Sequence, residues 1–128
     1  MITCADLSAA RPMHRLFRAT INTWHGLCDV ARSEPAFRQE LAALIVAVPL
    51  AFLLTHEAWK RFALIGVVLL LLVVELLNTA VEKLADRVSR EADGQIRRVK
   101  DMGSAAVGLT LLIALAAWLL ALAEAIIG

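Results

Sequence analysis

Tyrosine is missing from these 128 residues, cysteine occurs twice and proline three times. Cys4 and Cys28 stand at irregular spacing near one end, which fits neither a disulfide framework nor a thiolate metal centre. His14, His25 and His56 are scattered and make no ligand set. The common nucleotide-handling motifs are absent: there is no GxxxxGK[ST] loop (Gly94 to Lys100 reads GQIRRVK), and no HRD or DFG segment. The first twenty residues, MITCADLSAARPMHRLFRAT, hold no apolar core of the kind that opens a cleavable leader, so targeting is expected from the first span. No repeat, low-complexity linker or soluble domain is visible, and no nucleic-acid partner is expected.

What the chain has in abundance is aliphatic side chain. It is 60% hydrophobic, dominated by Leu, Ala, Val and Ile, and its formal net charge is only +1. Such composition predicts one small all-α integral-membrane domain, residues 1–128. Residues 1–11 are expected to fray, and 12–32 to form an amphipathic helix beginning at Pro12. Leu16, Phe17, Ile21, Trp24 and Leu27 fall on its apolar side, with Arg15, Arg18, Asn22, His25 and Asp29 opposite. This suits a helix lying in the membrane interface, or one packed on other protein. Ser33 is the expected N-cap of the next helix, with Pro35 in its first turn.

A span needs roughly 20 apolar residues. Three are predicted, at about 36–55, 62–82 and 102–127, the second continuing as helix to about Val88. Residues 55–61 make a short polar turn with Trp59 as an interface anchor, and 89–101 the main polar loop. Gly103, Ser104, Ala105, Ala106 and Gly108 give the third span a small face for close helix packing. Five cations lie before or at the start of the first span (through Arg38) and six between the second and third, eleven of the thirteen in all. That side is therefore predicted to be cytoplasmic, with the N-terminus inside and the C-terminus outside.

One pattern points to chemistry. Glu75, Asn78 and Glu82 lie in and just after the most apolar run, FALIGVVLLLLVVELL. At about 100° per residue they share one helix face, which Asp86 continues. Ionisable groups at membrane depth are costly and mark functional sites. The topology brings Glu34 and Arg38, the Glu75 stripe, and Lys100, Asp101 and Ser104 to one membrane face. Carboxylates can hold Mg²⁺ with substrate phosphates, or accept a proton from an alcohol, and Arg and Lys can clamp phosphate. These are the parts of phosphoryl transfer. Other readings stay open: Glu75 as interhelical polar glue or as the carboxylate of a small proton-coupled transporter, Asn78 as glue, and Asp86 paired with Arg90 at i+4. Glu57 has Lys60 or Arg61 as partners, and Glu124 is expected in outer water.

Three segments carry a resemblance. EPAFRQE (34–40), VELLNTAVEKLADR (74–87) and VKDMGSAAV (99–107), with TWHGL (23–27), closely resemble the small bacterial integral-membrane diacylglycerol kinase family. The likeness covers roughly residues 11–127. It implies a homotrimer in the bacterial inner membrane that phosphorylates the free hydroxyl of diacylglycerol with MgATP, giving phosphatidic acid. By position, it implies Glu75 as general base, supported by Asn78, and Glu34 and Glu82 as Mg²⁺ ligands. Nucleotide contacts would come from Arg15, Asn22, Glu34, Glu82, Glu91, Ala92, Asp93, Lys100 and Asp101. Lipid would lie along Ala36, Phe37, Arg38, Gln39 and Glu40, and near Glu75 and Ser104. Where the family often carries a histidine, this chain has Asp93 in READGQ. A sister branch phosphorylates undecaprenol; EPAFRQE and DMGSAAV look more like the diacylglycerol branch.

Overall fold

A computed structural model describes residues 4–89 and 94–128, with side chains from residue 12 onward. Four helices account for nearly all of them: α1 (Cys4–Ser33), α2 (Pro35–Leu54), α3 (Ala58–Val88) and α4 (Gly94–Ile127). The last three are long and apolar enough to cross a membrane. At 1.5 Å per residue they measure roughly 30, 46 and 51 Å, so α3 and α4 exceed a hydrocarbon core of about 30 Å and carry polar ends beyond it.

The chain forms two units, residues 1–34 and 35–128. In the first, α1 begins at Cys4, so most of the segment expected to fray is helical and Pro12 lies inside the helix. Ala5, Leu7, Ala9, Ala10 and Arg11 are good helix formers and carry the helix back past the proline. Ser33 is not an N-cap. It ends α1 and its Oγ donates to the Asp29 carbonyl, 2.9 Å away. Thr20 and Thr23 make the same i−4 bond. Cys28 carries a free thiol.

In the second unit α3 is central, packing on both α2 and α4. Its buried stripe runs Leu64, Val68, Leu71, Leu72, Glu75, Asn78, Thr79 and Ala85, the three- and four-residue spacing of one helix face. Phe37, Ala47 and Ala51 of α2 and Thr110 and Ala114 of α4 complete the core. Much of the remaining apolar surface, such as Leu53, Phe62, Leu112 and Leu120, points outward, as expected where lipid tails are the solvent.

The turn between α2 and α3 is shorter than the sequence suggests, only 55–57. Arg61 closes it. Its Nε–H donates to the Thr55 carbonyl at 2.8 Å and its guanidinium lies 4.3 Å from the Phe52 ring centroid. This satisfies one of the carbonyls that a helix end leaves without a partner. The predicted polar loop 89–101 is also shorter, because Gln95 to Asp101 belong to α4. Nothing in QIRRVKD breaks a helix, and polar residues extend helices freely outside the bilayer.

Contacts at both ends fix α3 and α4 as antiparallel. At one end Lys60 Nζ bonds both Glu124 oxygens at 2.8 and 2.9 Å, with Glu57 3.6 Å away. Glu124 is thus tied back to α3, not left to water alone. Midway, Trp118 Nε1–H donates to the Leu64 carbonyl at 3.2 Å. At the other end Lys100 Nζ bonds Asp86 Oδ1 at 2.5 Å. Asp86 thus has a partner on α4; the expected Asp86–Arg90 pairing falls on Arg90, which lies outside the described residues.

Candidate functional site

Three polar side chains interrupt the apolar stripe of α3. Glu75 is 8% exposed, Asn78 9% and Thr79 2%. Burial of such groups is costly unless they are bonded. Asn78 Nδ2–H donates to Glu82 Oε1, four residues on, at 3.4 Å. The carboxylate dictates that orientation, since an amide turned the other way would set oxygen against oxygen. Glu75 lies within Coulombic range of Glu40 on α2. Two carboxylates on neighbouring helices are therefore close enough to feel each other's charge.

Among the described residues, the buried side-chain atoms without a hydrogen-bond partner are Glu40 Oε2, Asn78 Oδ1 and Thr79 Oγ1. All three belong to residues around Glu75, two on its own next turn and one across the α2–α3 interface. Thr79 is the exception among helix threonines here: Thr20, Thr23 and Thr110 each donate to the carbonyl four residues back. Buried polar atoms left open in this way call for a ligand or an ordered water.

Beyond this cluster α3 becomes hydrophilic. Glu82 is half-buried, and Asp86 and Lys100 are paired and partly exposed. An open depression of about 580 Å³ is lined by Lys83, Asp86, Arg87, Val88 and Ser89. It has room for a water-borne anion beside the carboxylate stripe. A larger apolar groove of about 860 Å³, lined in part by Trp59, Ala63, Leu64 and Leu120, lies at the opposite end of α3.

Of the predicted site residues in this unit, Glu75, Asn78, Glu82 and Glu40 are brought together, with Lys100 joined to the same end of α3 through Asp86. Asp101 and Ser104 are exposed near the start of α4, and Ala36, Arg38 and Gln39 are exposed on α2. Phe37 is 2% exposed. Its ring is part of the core and does not line an open lipid-facing surface. In the other unit Arg15 and Asn22 are exposed on α1, and half-buried Glu34 follows its end with its N–H on the Val30 carbonyl. Glu91, Ala92 and Asp93 lie outside the described residues. Sequence reasoning missed Thr79, although its place one turn after Glu75 was a usable signal. It also missed the Asp86–Lys100 pair, which joins residues on separate helices.

No group of three or more His, Cys, Asp or Glu side chains among the described residues is gathered around a metal position. Magnesium does not need one. It commonly uses one or two carboxylates and takes its remaining ligands from water and substrate phosphates. Glu82 fits that pattern: a hard oxygen donor, half-buried, with one oxygen on Asn78 and lone pairs to spare.

Residues 21–122 match the prokaryotic diacylglycerol kinase family. The chain is 40% identical over 104 residues to the diacylglycerol kinase of Escherichia coli K12, an alignment covering 81% of this chain and 85% of the relative. It is 41% identical over 106 residues to that of Pseudomonas aeruginosa, covering 83% and 86%. With the Haemophilus influenzae diacylglycerol kinase it shares 36% over 103 residues, covering 80% and 87%.

Proposed function

Since the chain belongs to the prokaryotic diacylglycerol kinase family and is a kinase of the bacterial membrane, we propose that it transfers the γ-phosphoryl group of MgATP to the free hydroxyl of diacylglycerol, giving phosphatidic acid and ADP. The observation that carries this is the buried Glu75 cluster. A carboxylate, an amide and a hydroxyl lie at the apolar–polar transition of a membrane-length helix, with acceptor atoms open.

The acceptor alcohol is oily and the nucleotide is water-borne, so the reaction has to occur where both reach. Glu75 takes the hydroxyl proton as the alcohol oxygen bonds to the γ-phosphorus and the β–γ bridging oxygen leaves with ADP. Thr79 and Glu40 each have a side-chain oxygen open to bond the hydroxyl. Asn78 holds Glu82 in place. Glu82 and Glu34 would hold Mg²⁺, which would supply charge neutralisation of the phosphates. Lys100 and Asp101, with Arg15 and Asn22, bind nucleotide; Lys100 exchanges Asp86 for a phosphate oxygen. Ser104, Arg38 and Gln39 border the lipid. We take the enzyme to be a homotrimer, as the family resemblance implies, with its N-terminus and site at the cytoplasmic face; the cation distribution supports that orientation.

Acceptor competition tests the reading. Purified protein in mixed micelles with Mg²⁺ and ATP is offered diacylglycerol or undecaprenol, and products are identified by mass. Phosphatidic acid is expected to dominate. Undecaprenyl phosphate as the main product would move the chain to the other substrate, and no lipid phosphate at all would end the proposal.

A further inference from the structure

We infer that Gly103 is a positioning residue for the phosphoryl-transfer site, its missing side chain setting the orientation of Asn78. This rests on the reading above that Glu82 serves the metal nucleotide. Gly103 lies on α4 opposite Asn78. A Cβ at this position would collide with Asn78 Oδ1 and stand 3.3 Å from Cγ. No backbone requirement explains the glycine, since no glycine in the described residues has positive φ. Helical glycine is otherwise a disadvantage next to alanine. Space is therefore what this position provides.

The space has a defined occupant. Asn78 is 9% exposed and its Oδ1 has no conventional partner, so it rests against the α4 backbone at Gly103. A Cα–H of glycine is a weak donor suited to such an oxygen. With the oxygen seated there, the amide N–H is left to reach Glu82 Oε1 at 3.4 Å. Any side chain at 103 forces Asn78 to rotate. The carboxamide then either leaves Glu82 or turns its oxygen toward it, and in both cases Glu82 loses its donor. At Gly108, a little further along the same helix, a Cβ would meet nothing within 4 Å. The two glycines separate a steric role from the general effect of removing a glycine from α4.

The experiment is a double-mutant cycle with Gly103→Ala, Asn78→Ala and the pair, and Gly108→Ala as control. Turnover at saturating substrates, the Mg²⁺ concentration for half-activity and the thermal midpoint in detergent are measured for each. Gly103→Ala is expected to lower turnover about tenfold or more and raise the Mg²⁺ requirement. In the Asn78→Ala background the same change should do almost nothing to turnover, and should raise the midpoint, because alanine is the better helix former once the collision is gone. Gly108→Ala should leave turnover unaltered. Independent, multiplying losses from the two single variants would overturn the inference, as would a Gly103→Ala enzyme of wild-type rate. If Gly103→Ala fails to fold, recovery of folding in the double variant supports the collision and failure of both refutes it. Non-additive turnover with an unshifted Mg²⁺ requirement supports the positioning of Asn78 by Gly103 while removing Glu82 from the metal.

Discussion

Glu75→Gln separates chemistry from fold. Glutamine keeps the shape of the side chain and removes both its charge and its basicity. The carboxylate it replaces is 8% exposed and within Coulombic range of Glu40. A neutral amide there carries no penalty for burying a charge and no repulsion from its neighbour, so folding stability should hold or increase. Catalysis should move the opposite way. Loss of a positioned base costs about 10²–10⁴ in rate, or about 2.7–5.4 kcal/mol of barrier at 1.36 kcal/mol per decade. The assay is turnover in mixed micelles at saturating MgATP and diacylglycerol, alongside thermal unfolding in the same detergent. Glu124→Gln, an exposed acid at the far end of α3 and α4, is the control and should keep its rate. A Glu75→Gln enzyme within about threefold of wild type would refute the base assignment. A lowered midpoint accounting for the lost activity would refute the account of burial.

Three further outcomes follow from the geometry. Lys100→Met breaks an ion pair whose side chains are 39% and 55% exposed, so stability should change by no more than about 1 kcal/mol. The Michaelis constant for ATP should nonetheless rise about 10–100-fold, the value of a charged hydrogen bond to phosphate, while Asp86→Asn should leave it near normal; equal effects of the two would assign Lys100 to structure. Glu82→Ala should raise the Mg²⁺ concentration needed for half-maximal rate, and an unchanged metal titration would exclude it as a ligand. Ala51→Leu, at a fully buried α2 position, should destabilise by about 1–3 kcal/mol through overpacking, read as a lower thermal midpoint with the Michaelis constants unchanged.

The spans and the Glu75 stripe were legible because a lipid-facing helix has to be continuously apolar, which makes each polar intrusion visible. Glu75, Asn78 and Glu82 stand out for that reason, and the buried face of α3 is the face their spacing defines. Helix ends were less legible. Apolarity marks where a helix meets lipid and says little about where it stops in water, so 94–101 read as loop although it opens α4. Ser33 carried a capping residue's identity, but its hydroxyl had a helical carbonyl within reach on Asp29 and took that instead. Contacts between helices were not legible at all. Lys100 with Asp86, Lys60 with Glu124, and Gly103 against Asn78 each depend on the register of α3 and α4, which composition and periodicity leave undetermined.

The central claim is that a metal nucleotide reaches the Glu75–Glu82 end of α3 and not the other. With Cys4 and Cys28 replaced by serine, a nitroxide is attached to cysteine at Leu84 in one variant and at Trp59 in another, positions near opposite ends of α3 and roughly 38 Å apart along its axis. Each is titrated with MnATP in the presence of diacylglycerol. Strong paramagnetic broadening at position 84 with none at 59 is the predicted result; equal broadening, or broadening confined to 59, would contradict the account.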